Sequence, residues 1–467
     1  MSAAAITIEP HTEIGSIPAQ VSRLRQTFES GRTRPLEWRR QQLKQLIAMH
    51  DDHADEFIVA LHDDFGKPTF EAFTSDVGQG KMEAKSALKN LKKWTRPERI
   101  GLFSVLGKAR VLREPLGVVL IISPWNYPVG LLLSPLVGAI AAGNAVVLKP
   151  SEVTPHVSAV LAKRIPEYMD PDAIALVEGG VEETTALLEQ RFDHILYTGN
   201  GNVARIVMQA AAKHLTPVTL ELGGKSPCIV HKDADIETAA RRIAWGKFTN
   251  AGQTCIAPDY ILVHESKQAE LVAALEKSVR EFYGNDPKDT ADYARIVNSR
   301  HHERLSTLMK DGVPAFGGDL DPDQCYIAPT VLLDAADDSR VMQEEIFGPI
   351  LPIRKVRDID EAIDFVNGRE KPLALYLFTN DKTVENDVLN RTSSGGVCVN
   401  GTLMHIMDPR MPFGGVGPSG TGAYHGRHTF ETFSHRKSVL TRGTRFDPKL
   451  MYPPYGKILT RLVRRFM

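Results

Sequence analysis

The sequence predicts an α/β protein: two successive strand–helix alternations, a helical segment ahead of them and a small β element beside them. Three observations predict it. Short apolar strands alternate with helical segments from Pro115 to Leu222, and a second alternation runs from Gly223 to about Phe413. Such alternation gives parallel sheets with helices on their faces. The stretch from Pro115 to Leu148 carries no charge, as strands buried on both faces do. Residues 17 to about 100, by contrast, are charged and amphipathic.

The elements follow in order. Val21, Leu24 and Phe28 fall at helical spacing, as do Leu43, Leu46 and Ile47 after Pro35, a residue suited to a helix start. These helices are expected to cover a core and to carry no function. Ile100–Arg113 reads as two short strands around Gly107-Lys108. The uncharged stretch is long enough to cross a bilayer. However, Pro124, Pro128 and Pro135, with Trp125-Asn126-Tyr127 among them, divide it. It reads as a buried strand Gly117–Ile122, a loop, a small-residue helix Leu131–Ala142 and a strand Ala145–Leu148. Further strands are expected at Ala173–Val177, His194–Tyr197 and Val218–Glu221. In the second alternation they are expected at Cys228–Val230, Tyr260–Val263, Ile350–Lys355 and Val397–Asn400, with helices near Ile236–Thr249 and Gln268–Tyr283. A glycine-rich stretch, Phe413-Gly414-Gly415-Val416-Gly417, then leads to a strand over Thr432–Thr441.

Composition narrows the function. A chain of 467 residues suggests two to three domains at about 150 residues each. Lys and Arg number 56 against 57 acidic residues, a net charge of −1, which argues against a protein built around nucleic-acid phosphates. Four cysteines without a CxxC pair or a Cys/His cluster argue against a disulfide scaffold and against a metal site, and point to the reducing cytoplasm. The N-terminus MSAAAITIEPHTEIG lacks the basic and apolar regions of a signal peptide.

Few residues are placed for chemistry. Cys255, in TNAGQTCI, lies between a helix and a strand among small polar residues, where a thiol can serve as a nucleophile. Cys228 and Cys398 lie in apolar strands, and Cys325 stands in a polar loop. Glu221 ends a strand before Leu222-Gly223-Gly224; it suits a general base equally with a salt-bridge partner for Lys225. The turn Gly199-Asn200-Gly201-Asn202-Val203-Ala204 is a GxGxxA between strand and helix, where backbone N–H groups can receive pyrophosphate. Lys149 and Glu152, in KPSE after a strand, can reach ribose hydroxyls or be surface charges. Asn126 can donate to an oxyanion or form a turn.

In order along the chain stand PWNYP (124–128), KPSE (149–152), TGNGNVA (198–204), LELGGKSP (220–227), GQTC (252–255), EEIFGP (344–349) and PFGG (412–415). Together, over about residues 17 to 445, the sequence closely resembles the aldehyde dehydrogenase superfamily. AAAKHLTPVTLELGGKSP and the C-terminal GTLMHI and MPFGGVGPSGTGAYHGRHTFETFSHRKSVL resemble its class 3 branch, which includes fatty, aromatic and coniferyl aldehyde dehydrogenases. The resemblance implies a Rossmann-like NAD(P)-binding domain (1–97 and 115–222), an α/β catalytic domain (223–413) and a small β oligomerisation element (98–114 and 414–445). It implies Cys255 as nucleophile, Asn126 and the Cys255 N–H as oxyanion donors, and Glu221 as the base that hydrolyses a thioester. Lys149 and Glu345 would bind the cofactor riboses, Phe347 would pack near the nicotinamide ribose, and Glu152 would influence NAD against NADP. Ser151, Leu222 and the turn Gly199–Ala204 complete the implied cofactor contacts. The family turn is usually Gly-x-Thr-x-x-Gly; here Gly201 removes a side chain near the phosphates and Ala204 adds a methyl.

The implied function is oxidation of a medium- or long-chain or aromatic aldehyde to its acid with NAD, NADP also being usable, by a homodimer in the cytoplasm. Rival readings are a CoA-acylating relative, which has no need of Glu221, a thiol esterase, and a silent structural relative. Residues 446–467 form a basic amphipathic tail: Ile458, Leu459, Leu462, Val463 and Phe466 share one helical face, with Lys457, Arg461, Arg464 and Arg465 around it. Such a helix suits either an anionic membrane surface or docking on protein.

Overall fold

A computed structural model describes residues 12–100, 107–445, 447 and 452–466. The chain opens with helices Ile17–Glu29 and Leu36–Phe65; Pro35 stands as the N-cap of the second. Ile17, Val21, Leu24, Leu43 and Leu46 are buried as their spacing predicts. A third helix, Gly78–Trp94, packs on the second.

Strands β1 (Glu98–Ile100) and β2 (Lys108–Pro115) pair antiparallel, with Ile100 opposite Ala109. Lys108 thus lies in the second strand rather than in a turn; residues 101–106 of the expected hairpin lie outside the described residues. β2 also pairs along its whole length with the late strand Ser434–Thr441.

The uncharged stretch becomes β3 (Val118–Ile122), a loop, the helix Gly130–Ala142 and β4 (Ala145–Lys149), every residue of these elements being buried. Gly143, at φ +95°, ends the helix; a Cβ there would lie 2.6 Å from the Arg39 guanidinium, so only glycine fits. Among the described residues no helix is long and apolar enough to cross a membrane. With β5 (Ile174–Leu176), β6 (His194–Thr198) and β7 (Val218–Glu221), these strands form a sheet in the order β7-β6-β3-β4-β5. Its members are parallel, and the short strand Gly420–Thr421 closes it antiparallel on β7.

The second sheet uses β8 (Pro227–Val230), β9 (Tyr260–His264) and β10 (Val313–Phe316). A two-stranded pair, β11 (Leu320–Asp321) and β12 (Tyr326–Ile327), stands apart. β13 (Thr330–Leu333), β14 (Ile350–Val356), β15 (Ala374–Phe378) and β16 (Gly396–Val399) complete the order β10-β13-β14-β9-β8-β15-β16. Sequence periodicity missed β10, β13 and β15. The last, ALYLF, is buried throughout between β8 and β16, and a short apolar stretch shows no strand period when both faces are covered. The C-terminal helix Lys457–Phe466 forms as expected, but Ile458 stays 79% exposed and Leu462 and Val463 are exposed as well.

Candidate active site

Ligands of open parallel sheets lie beyond the carboxyl ends of the strands. Here that region holds a cavity of about 250 Å³ whose wall includes Cys255, Glu221, Leu222 and Thr198, with Tyr127 and Tyr424 beside them.

Cys255 follows the short turn Thr249–Gly252, in which Asn250, Ala251 and Gly252 have φ of 56°, 49° and 72°. Consecutive left-handed residues are strained, and such strain persists only where neighbours over-determine it. The neighbours are identifiable. The Asn250 N–H donates to the half-buried Glu71 carboxylate at 2.9 Å. Gln253 Nε2 donates to the Asn250 carbonyl at 3.0 Å and to that of Arg295 at 2.9 Å, while its Oε1 accepts the Val297 N–H at 3.0 Å. A Cβ on Gly252 would lie 2.3 Å from the Gly348 carbonyl oxygen. Burial, then the carboxylates of Glu345 and Glu221, push the Cys255 thiol up to about 12, against the N–H groups of Cys255 and Ile256, which favour the thiolate. The resting residue is therefore a thiol.

Asn126, buried in the loop after β3, donates through Nδ2 to the Gln253 carbonyl at 3.0 Å. Its second amide hydrogen is uncommitted, and its Oδ1 has no hydrogen-bond partner among the described residues. Its own carbonyl accepts from Asn250 Nδ2 at 3.1 Å and from Lys67 Nζ at 3.3 Å. Lys67 is fully buried, paired with Asp76 at 3.3 Å and seated 3.9 Å over the Tyr127 ring. The segment expected to carry no function thus buttresses the Asn126 loop: Lys67 follows the helix Leu36–Phe65 and donates to the Asn126 carbonyl, and Asp76 accepts the Gly130 N–H at the end of that loop.

Glu221 ends β7 at 2% exposed, and neither carboxylate oxygen has a hydrogen-bond partner among the described residues. Burial raises its pKa well above the ordinary carboxyl range. The salt-bridge reading fails: Lys225 pairs with Asp259 and donates to the carbonyls of Val341 and Glu344 at 2.8 and 2.9 Å.

The other expected residues ring the same strand ends. Lys149 is buried, not a surface charge; Nζ donates to the Pro150 carbonyl at 2.6 Å and lies 3.7 Å from the exposed Glu152 carboxylate. The Ser151 hydroxyl accepts the Val153 N–H at 3.2 Å, a local turn bond. Glu345 folds over Gly223, where a Cβ would stand 2.2 Å from its carboxylate. Phe347, at φ +50°, meets Trp125 edge-on with centroids 5.3 Å apart.

One expectation needs correction. Helix Gly201–Ala212 does start after Gly199-Asn200, with Ala204 buried, but two of its first amides, those of Asn202 and Val203, are already engaged. Asn200 Oδ1 accepts from the N–H of both Asn202 and Val203, each at 3.0 Å, so the side chain caps the donors expected to receive pyrophosphate. A dinucleotide nevertheless fits here. The buried hydroxyls of Ser123 and Thr198, at the ends of neighbouring strands β3 and β6, have no hydrogen-bond partner among the described residues. The residues able to hold it are Lys149, Glu152, Glu345, Phe347 and these two hydroxyls. Sequence reading assigned no role to Ser123, three residues before Asn126, or to Thr198, although Thr198 opens the TGNGNVA motif at a strand end. Lys67, Glu71 and Asp76 had no such signal.

This fold and cavity describe a dinucleotide-dependent oxidoreductase. The family model for the aldehyde dehydrogenase family matches residues 11–439, and the chain belongs to that family. It is 52% identical over 439 residues to aldehyde dehydrogenase family 3 member A2 of Mus musculus, covering 93% of this chain and 91% of that one. It is 51% identical over 445 residues to the dimeric NADP-preferring aldehyde dehydrogenase of Mus musculus, covering 94% and 98%. The substrate-bound Staphylococcus aureus AldH superposes with a TM-score of 0.95 at 45% identity, covering 97% of this chain and 99% of that one. The chain is thus an enzyme that oxidises an aldehyde with NAD or NADP.

Proposed function

We propose that this enzyme forms the free carboxylic acid, with Cys255 as nucleophile, Asn126 as oxyanion donor and Glu221 as the hydrolytic base. The observation that carries the proposal is Glu221: a buried carboxyl group, without a hydrogen-bond partner among the described residues, in the wall of the same cavity as the thiol. The Cys255 sulfur loses its proton to solvent water and adds to the aldehyde carbon, and the carbonyl oxygen becomes an oxyanion held by the second amide hydrogen of Asn126 and the Cys255 N–H. The bound nicotinamide supplies a hydride acceptor. Loss of hydride leaves a thioester on Cys255. Glu221 takes a proton from water as the water adds to that thioester, and the acid leaves with the thiol restored. An acylating enzyme would have no use for this carboxylate.

The sheet built on β3–β7 with its helices (1–97 and 115–222) serves as the NAD(P) domain, 223–413 as the catalytic domain, and 98–114 with 414–445 as the surface of a homodimer. NAD is the preferred acceptor, since the exposed Glu152 carboxylate suits a ribose hydroxyl and repels a 2′-phosphate, with NADP also accepted. Substrates are medium- or long-chain aliphatic or aromatic aldehydes. Four free thiols suit the cytoplasm. The exposed apolar face of Lys457–Phe466, flanked by cations, suits peripheral contact with an anionic membrane.

The test is NADH or NADPH formation at about 340 nm, the nicotinamide absorbance, with hexanal, dodecanal and benzaldehyde, beside Cys255→Ala. Reduction that needs Cys255 and no CoA is expected. Reduction only on adding CoA would overturn the hydrolytic assignment.

A further inference from the structure

The cavity has a second polar cluster that the oxidation leaves unused. Glu83, from the helix Gly78–Trp94, and His425, from the loop before helix Arg427–Thr432, both line it, and each is only 7% exposed. The two Glu83 oxygens lie 3.2 and 3.1 Å from the Gly426 N–H, which donates to the carboxylate, and one is 3.6 Å from His425 Nδ1. His425 has φ +84°, a conformation rare for a side chain of this size, and Gly426 follows at +50°. The His425 N–H is anchored on Thr429 Oγ1 at 2.8 Å. Ser134, 4% exposed, lines the same cavity with a hydroxyl that has no partner among the described residues.

Around these groups the wall is largely apolar, with Leu131, Trp245, Ile406 and Phe413. A carboxyl group and an imidazole buried in such a wall cost free energy unless something polar meets them. Burial holds His425 down to about 4, so its ring is neutral and offers one N–H and one lone pair; burial also lifts Glu83 to about 7. The strained backbone at His425 aims the ring into the cavity at a further cost. A hydroxyl group, donor and acceptor at once, complements this set. The Tyr424 ring stands within electrostatic reach of both clusters, burial and then Glu221, Cys255 and Glu83 all disfavouring its ionisation.

We propose that Glu83 and His425, with Ser134, form a hydroxyl-recognition subsite, and that the preferred substrates are aldehydes with a hydroxyl group remote from the carbonyl. This rests on the reading of Cys255 and Glu221 as the reacting centre of the same cavity.

The test compares kcat/KM for octanal, decanal and dodecanal with that for the same aldehydes hydroxylated on the terminal carbon. The wild type is expected to favour at least one hydroxylated length by about tenfold, the order of one hydrogen bond to a charged group. In Glu83→Met the ratio should fall to near one, while Glu83→Gln, which keeps an acceptor, should retain part of it. The ratio is read within each variant, so a partly inactive preparation does not alter it. A wild-type ratio at or below one at every length, with the plain alkanals still oxidised, overturns the subsite and leaves the reacting centre standing. So does a ratio that Glu83→Met does not change. Absence of any Cys255-dependent oxidation overturns the underlying reading, and the subsite with it.

Discussion

Glu221→Gln separates the two halves of the reaction. The Glu221 carboxyl is buried with no hydrogen-bond partner for either oxygen among the described residues, and burial raises its pKa well above its ordinary value of 4.5, which favours the neutral acid. Gln has nearly the same shape and charge as the protonated acid, and below pH 4.5, where the unfolded side chain is protonated as well, the fold should change in stability by no more than about 1 kcal/mol, the scale of one buried hydrogen-bonding group. Formation of the thioester needs the sulfur, the oxyanion donors and a hydride acceptor; its hydrolysis needs the base. General base catalysis contributes about 10²–10⁴ in rate. The variant should therefore release one NAD(P)H per active site in a rapid burst and then turn over about 10²–10⁴ times more slowly.

Stopped-flow absorbance gives burst and steady state together, and mass spectrometry should find the acyl group on Cys255. In the wild type, hydrolysis should speed up as pH rises through the raised Glu221 pKa, because only the ionised carboxylate accepts a proton; Gln should abolish that limb. Stability has the matching sign. A carboxyl whose folded pKa is raised loses stability as pH climbs from its unfolded value through its folded one. Glu221→Gln should therefore gain in Tm relative to the wild type as pH rises above 4.5, the ordinary value kept by the unfolded side chain. A burst lost in proportion to kcat, or an intact kcat, would refute the assignment of Glu221 to hydrolysis.

Two further substitutions probe the support of the thiol. Asn126→Ala should slow the burst itself by about 10²–10³, the usual cost of one oxyanion donor. The fold should stand, because Asn250 Nδ2 still donates to the Gln253 carbonyl at 3.2 Å; a burst rate within about threefold of wild type would exclude the role. Lys67→Met leaves Asp76 buried without its cation and should cost about 3–5 kcal/mol, read by denaturant unfolding, with Lys67→Met/Asp76→Asn recovering part of it. No loss in the single variant would show that the buried pair does not hold the Asn126 loop.

How much was legible along the chain depended on whether a signal was local. A strand end followed by a loop is a local pattern, and Glu221, Thr198, Lys149 and Asn126 sit at such ends because parallel strands deliver their next residues to one edge. Cys255 was legible from the small polar residues that make its turn. The neutral state of its thiol was not, because that state comes from burial and from Glu345, which lies far away in sequence. The turn Gly199–Ala204 was read correctly as a strand–helix junction, but the cap that Asn200 places on two of its amides was not read. Whether Asn200 projects outward or turns back over its own helix depends on a side-chain torsion, and no spacing rule reports one.

The sequence by itself determined the two α/β alternations in outline, the interruption of the uncharged stretch, the family, and the placing of the candidate reacting residues in loops at strand ends. These depend on backbone periodicity, on breakers such as Pro124 and Pro128, and on motifs within single loops. Only the tertiary structure decided which groups face one another. It paired Lys225 with Asp259 and so left Glu221 unpaired, set Lys67 and Asp76 behind Asn126, and brought Glu83 and His425, 342 residues apart, into one cavity wall. The physical reason is that burial and pairing fix the charge and freedom of a side chain, and both are properties of its neighbours in space.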